Sequence, residues 1–301
     1  MAASGRLSRP YRIDDGRHFR LKHVDTGDTG SLHKRDAHRH LKQGIERLAE
    51  MQDKLYAQDR WGLLLILQAM DAAGKDSTIK HVMTGVNPQG CDVVSFKQPS
   101  AEELDHDFLW RVARRLPERG RIGIFNRSYY EETLVVRVHP DRLAAERLPP
   151  RLVNRKIWDE RFDDINGFER YLTRNGVVVR KFFLHVSREE QRKRFLARLE
   201  EPGKNWKFSS ADLLERERWD DYMAAYEDTI RNTSTPHAPW YVVPADHKWF
   251  TRLVVADAIV DTLQNLRVGY PKVDAAKRKE LAAMRDALEK GSDVPGTPAD
   301  R

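Results

Sequence analysis

One cysteine, Cys91, is all the thiol chemistry this chain of 301 residues possesses. An internal disulfide is excluded, as is a zinc site built on cysteines, and a reducing compartment fits. No apolar stretch approaches the roughly 20 residues that a membrane helix needs. Residues 1–10 hold no apolar core of the kind a secretory leader carries, and acids arrive by Asp14, which suits a transit peptide poorly. These absences predict a cytoplasmic protein. There is no Gly-x-Ser-x-Gly elbow and no zinc-binding helix motif, which removes two common hydrolase chemistries. Acidic charge is in deficit, with 46 Asp and Glu against 53 Lys and Arg, a net charge of +7 and a pI near 9.4. That excess points to an anionic partner: nucleic acid, a membrane surface or a polyphosphorylated substrate. At 40% hydrophobic the chain can fill the core of one large α/β domain or two small ones.

What is present is organised around residues 62–80. Residues 63–67 are an aliphatic run of strand length, suited to a parallel strand buried on both faces. Ala72, Ala73 and Gly74 make a small-residue turn, followed by Lys75, Asp76, Ser77 and a helical pattern through Val86. Strand, small loop, lysine and helix form a phosphate cradle. Backbone N–H groups and the helix N-terminus face an anion there, and Lys75 adds a positive charge. The run departs twice from G-x-x-x-x-G-K-[ST]. Ala69 replaces the first glycine, so the loop needs no left-handed backbone at that point. Asp76 replaces the Ser or Thr that would hold Mg²⁺. With Asp71 it puts two carboxylates beside Lys75, which would repel phosphate unless both hold Mg²⁺, a hard cation that bridges phosphates. The plain alternative is a strand-to-helix turn with Asp76 as a cap.

Along the chain, residues 1–35 read as an irregular polar arm, packed across the body or against a partner subunit, and 36–58 as a helix. Strands are predicted at 63–67, 91–97, 121–125, 177–186 and 240–243. Helices are predicted at 75–86, 101–116, 151–174, from 188, 210–229 and 249–266. Ser100 with Glu103 and Ser187 with Glu190 fit capping boxes. Five strands separated by helical stretches predict an α/β fold with a parallel sheet and helices on both faces. The domain is expected at 36–270 with a helical lid near 188–235, then a charged helix and a disordered tail within 271–301.

Other residues add to the phosphate reading. The third strand ends on Asn126 and Arg127, where a P-loop enzyme keeps its second metal-organising group. That group is usually Asp; neutral Asn126 can bond a phosphate or a metal-bound water, and Arg127 suits bidentate phosphate contact. From Arg188 the chain turns basic, with Arg194 and Arg198 sharing a helix face. The segment reads as a lid closing arginines over phosphates. His33, His38 and His40 have metal-like spacing without a carboxylate framework and read as exposed. Cys91 reads as a small core residue. Trp219, Tyr222 and Tyr226 fall at helical spacing and read as core in preference to base-stacking platforms.

Five separated stretches together resemble the family-2 polyphosphate kinases. They are Asp71-Ala72-Ala73-Gly74-Lys75-Asp76, Ser95-Phe96-Lys97-Gln98-Pro99-Ser100, Phe125-Asn126-Arg127-Ser128-Tyr129-Tyr130-Glu131, Pro202-Gly203-Lys204-Asn205-Trp206-Lys207-Phe208 and Ala238-Pro239-Trp240-Tyr241-Val242-Val243-Pro244-Ala245-Asp246. The resemblance runs from about residue 11 to residue 266. It implies a P-loop kinase core with a helical lid, like the thymidylate kinases. It also implies transfer of a terminal phosphoryl group between inorganic polyphosphate and a nucleotide, with Mg²⁺. By resemblance, Lys75 meets the transferred phosphate, Asp71 and Asp76 hold the metal, and Arg127 clamps phosphate. Ala72, Ala73, Gly74, Ser77, Lys97, Asn126, Glu131 and Arg137 are implied as nucleotide- and phosphate-binding positions. Arg194, Arg198, Lys204, Lys207 and Arg216 are implied as lid and polyphosphate-binding positions.

Asn126 with Glu131 looks like the subclass that accepts AMP and ADP, with guanine nucleotides left open. The implied partners are polyphosphate, a nucleotide and further copies of the chain in a homodimer or homotetramer, with no nucleic acid and no membrane. Two alternatives compete. An ATP-dependent nucleoside monophosphate kinase is opposed by Asp76 and the basic lid. A basic nucleic-acid-binding P-loop protein is opposed by the paired carboxylates, which a binder does not need.

Overall fold

Residues 63–67 become the middle of the central strand. The computed structural model describes residues 7–203, 205 and 210–290. Its sheet runs β1 (Arg12–Ile13), β6 (Trp240–Pro244), β5 (Val177–His185), β2 (Gly62–Ala69), β4 (Ile122–Asn126), β3 (Cys91–Ser95). β2 pairs in parallel with β4 on one side and β5 on the other, and Leu63 to Leu67 are at most 2% exposed. A strand covered on both faces has no polar side to show, hence the unbroken aliphatic run.

The five parallel strands lie where periodicity predicts them, but the sheet has six. β1 pairs antiparallel with β6, Arg12 opposite Tyr241 and Ile13 opposite Trp240. The arm is therefore not irregular throughout. It lies on its own body: Leu7 N–H, Ser8 N–H and Ser8 Oγ all donate to Asp257 Oδ2, and Leu21 N–H donates to Glu227. A strand of two residues leaves no alternation to read.

Helices α1 (Lys34–Gln58) and α2 (Lys75–Val82) pack with α11 (Lys248–Asn265). Helix α7 (Ile157–Arg174) packs on β5 and against α10 (Trp219–Thr233). Alternation along β5 shows that these are opposite faces. Arg180 reaches Thr262 on α11, while its neighbour Lys181 reaches Glu169 on α7.

Several predicted helices are shorter or broken. Residues 101–116 form α3 (Ala101–Leu104) and α4 (Trp110–Ala113). Between them Asp107 Oδ1 accepts from Leu109 N–H and its carbonyl from Trp110 N–H, so this aspartate closes its own turn and leads into the second helix. Helix α7 starts six residues later than the predicted 151, after Asn154 Oδ1 accepts from Lys156 N–H. Helix α2 stops at Val82 because Gly85, at φ +83°, turns the chain away. Two short helices, α5 (Val135–Val138) and α6 (Pro140–Ala145), fill the connection before α7.

The predicted lid is not uniform. Helix α8 (Arg188–Glu200) is followed by α9 (Ser210–Glu217), and α10 begins after a break at Arg218. Trp219, Tyr222, Tyr226 and Ile230 of α10 are buried, so α10 belongs to the body. The Ser100–Glu103 capping box forms in full. At α8 only half forms: Ser187 Oγ accepts from Glu190 N–H, but Ser187 N–H donates to Asp246 and the Glu190 carboxylate accepts from Arg194. Helix α12 (Ala275–Glu289) is exposed along almost its whole length, and the predicted tail at 291–301 lies outside the described residues. No helix among the described residues is long and apolar enough to cross a membrane.

Candidate active site

The loop between β2 and α2 has its left-handed backbone at Ala72 (φ +61°) and Gly74 (φ +106°) and none at Ala69. Gly74 suits a positive φ, whereas Ala72 adopts one at a cost. The loop closes with Ala73 N–H on Met70 O and Ser77 Oγ on Gly74 O, delivering Lys75 to the start of α2. Burial and then Arg127 push the Lys75 pKa below the usual lysine range, while Glu131, Asp71 and Asp76 favour its charge.

The end of β4 supplies the second half of the site. Arg127 sits at φ +65°, a backbone strain of the kind that gathers at functional sites. Its Nη2 lies 3.5 Å from Asp71 Oδ1 and its Nη1 3.6 Å from Glu131 Oε2. Both separations are long, so Arg127 is held between two carboxylates without a tight bond to either. Glu131, then Asp71, raise its pKa further. Asn126 Nδ2 donates to Asp76 Oδ1 at 2.9 Å. The neutral residue at this strand end therefore orients a carboxylate.

Of the other residues implied by resemblance, Lys97 lies exposed on the wall of the adjoining cleft. Arg216 Nη1 donates to Gln191 Oε1 at 2.7 Å and to Arg188 O at 2.8 Å. Lys204 and Lys207 lie outside the described residues. Two residues have protein partners apart from the implied phosphate contacts. Arg137 is bonded to Asp228 of α10 at 2.5 Å and borders a separate hollow of about 760 Å³, away from the loop. Arg194 is 8% exposed and donates only to protein acceptors, so in this structure it is not a free lid arginine. Arg198 lies with its guanidinium 5.5 Å from the Phe195 ring centre, on its own helix.

Two residues escape a reading by spacing. Gln68 is fully buried and donates to Glu131 Oε1 at 2.8 Å. A lone amide near the end of an aliphatic strand is its one visible signal. Gln191 reaches the loop from 120 positions away, and no local pattern announces it. Arg194, read from spacing as a lid arginine, reaches the carbonyls of the same loop.

A cleft of about 560 Å³ opens from the loop, with Asp71, Arg127 and Glu131 at one end and Lys97, Phe108 and Arg161 along its walls. Arg161 binds Glu132 at 2.9 Å and Glu146 at 2.5 Å. Burial and the Glu146 charge push Glu132 up to about 8.

Strand, loop, lysine and helix on an open parallel sheet, with arginine and carboxylates at the strand ends, define a phosphate-binding P-loop protein. The family is resolved by comparison. The family model for Polyphosphate kinase 2 (PPK2) matches residues 31–270, and the chain belongs to that family. It is 56% identical over 254 residues to an ADP-polyphosphate phosphotransferase of Rhodopseudomonas palustris, covering 84% of this chain and 88% of that one. It is 44% identical over 271 residues to an AMP/ADP-polyphosphate phosphotransferase of Meiothermus ruber, covering 89% and 97%. The fold matches the crystal structure of Polyphosphate Kinase 2 from Arthrobacter aurescens TC1 with a TM-score of 0.84 at 39% identity, covering 94% of this chain and 99% of that one.

Proposed function

We propose that this chain moves the terminal phosphoryl group between inorganic polyphosphate and adenine nucleotides, AMP to ADP and ADP to ATP, reversibly and with Mg²⁺. The observation that carries the reading is the cationic pair Lys75 and Arg127, ringed by Asp71, Asp76 and Glu131 at the end of the central strand.

The chemistry asks little of the protein in covalent terms. The acceptor is a phosphate oxygen of the nucleotide, already ionised, so no general base has to remove a proton. One P–O bond forms to the terminal phosphorus, one bridging P–O bond breaks, and the polymer leaves one unit shorter. Catalysis then reduces to positioning and charge neutralisation. Lys75 places its ammonium on the transferred group. Arg127 is held loosely enough to turn from its carboxylates to phosphate oxygens. Asn126 fixes Asp76 in one orientation. Helix α9, beyond the part of α8 that is fixed to the loop, belongs to the portion of the 188–235 segment that closes over the polymer.

Among the described residues no cluster of three or more His, Cys, Asp or Glu forms a metal cage. Mg²⁺ is commonly bound by one or two carboxylates plus substrate phosphates, the donor set that Asp71 and Asp76 offer. Asp71 and Asp76 would hold it, and it would neutralise phosphate charge. We expect Asp76→Asn to raise the Mg²⁺ needed for half-maximal turnover at least tenfold, about the worth of one charge-assisted contact. An unchanged Mg²⁺ titration would remove Asp76 from that role.

Asn126 with Glu131 favours AMP as well as ADP. The test supplies each nucleotide alone with polyphosphate and Mg²⁺. Products from both support the reading, and product from ADP alone discards AMP while keeping the donor.

A further inference from the structure

Helix α8 brings two side chains to the back of the phosphate loop. Gln191 Nε2 donates to the carbonyl of Asp71 at 2.9 Å. Arg194 Nη1 donates to the carbonyls of Ala72 at 3.1 Å and Ala73 at 2.7 Å. Three successive carbonyls of the loop thus face one helix. Arg194 Nη2 continues to the carbonyls of Ala245 at 2.7 Å and Asp246 at 3.0 Å, and Nε to Glu190 Oε1 at 2.8 Å. A guanidinium has five N–H donors, and all five are engaged by the protein.

This arrangement has a consequence for the other side of the loop. In a trans peptide the C=O and the following N–H point in opposite directions. Turning the carbonyls of Asp71 and Ala73 toward α8 turns the N–H groups of Ala72 and Gly74 away from it. Ala72 at φ +61° is a conformation that an alanine leaves unless it is held. A Cβ built on Gly74 would come within 3.9 Å of Arg194 Nη1, so the guanidinium lies directly behind the turn.

We propose that Arg194, seconded by Gln191, is a positioning residue for phosphoryl transfer. It holds the loop carbonyls back so that the loop amides face the phosphoryl group, and it does not touch phosphate itself. The proposal rests on the phosphotransferase reading above. It also links the loop to α9, because Arg216 donates to the same Gln191 whose amide holds Asp71. The base of α8 is tied down independently: Asp246 accepts from Ser187 N–H through Oδ1 and from Thr26 Oγ1 through Oδ2.

The test compares Arg194→Lys with Arg194→Gln in the full chain, by kinetics and by crystal structure. A clamp depends on fork geometry, so lysine should not rescue. Both variants are expected to lose about a hundredfold in kcat, the size of losing one oxyanion donor. The salt dependence of the polyphosphate KM should stay that of wild type, and Ala72 should leave the left-handed region in both crystal structures. A lysine variant within about threefold of wild type would overturn the proposal, since charge alone would then suffice. So would a glutamine variant with a flatter salt dependence, or Ala72 unmoved in both. If neither folds, Gln191→Met carries the test, with about a tenfold fall in kcat at unchanged Tm expected and wild-type kcat overturning it. A wild-type protein without polyphosphate-dependent turnover would defeat the functional reading, and the Ala72 backbone would still report on the clamp.

Discussion

Lys75 and Glu132 show how burial makes single residues legible or hidden. Burial and then Arg127 lower the Lys75 pKa, against the opposing charges of Glu131, Asp71 and Asp76. Lys75→Ala should lower turnover by about a thousandfold or more, as loss of a transition-state cation does, with an unchanged circular dichroism spectrum. Near-normal turnover would remove it from the chemistry. Glu132 faces Arg161 and Glu146, with Arg111 further off, and is held up to about 8. A carboxyl with a raised folded-state pKa binds its proton more tightly folded than unfolded. The stability it contributes is complete below the ordinary glutamate range and lost as pH rises toward about 8. Denaturation across that range should show a decline in wild type that Glu132→Gln flattens; parallel curves would contradict it. Asp71, Lys75 and Asp76 could be read from spacing because one turn of chain brings them together. Arg194 could not: its side chain serves a loop 121 positions away, and a basic helical residue looks the same in sequence whether it meets phosphate or carbonyl oxygen.

At the scale of elements, what was legible followed burial and what was not followed local hydrogen bonds. The five parallel strands carry continuous or alternating apolar signals. The breaks at Asp107 and Asn154 come from single side chains that cap their own turns, and β1 from tertiary pairing of two residues. One buried network links elements around the site. Lys181 on β5 meets Glu169 on α7 at 2.6 Å, both fully buried, and Glu169 Oε1 accepts from the hydroxyls of Tyr129 and Tyr130. Those tyrosines begin the turn that follows Arg127 and carries Glu131. Glu169→Gln leaves a buried lysine without its counter-charge and should cost about 3–5 kcal/mol in denaturant unfolding. A loss under about 1 kcal/mol would mean that the ion pair is not what anchors the turn.

The whole chain carries a net charge of +7. A polyanion should feel that field more than a nucleotide does. Raising salt from about 50 to about 500 mM should raise the polyphosphate KM several-fold more than the nucleotide KM, because the Debye length shrinks toward contact distance. Equal shifts for both substrates would place polyphosphate recognition in local contacts alone. The most direct test of the donor itself uses the purified protein with Mg²⁺, ADP and polyphosphate of defined length, without ATP. Nucleotides are followed by chromatography and the polymer by phosphorus NMR. One ATP formed for each terminal unit lost is the expected result. An intact polymer and no ATP, with AMP phosphorylated when ATP is supplied instead, would show that the phosphate loop serves a different donor.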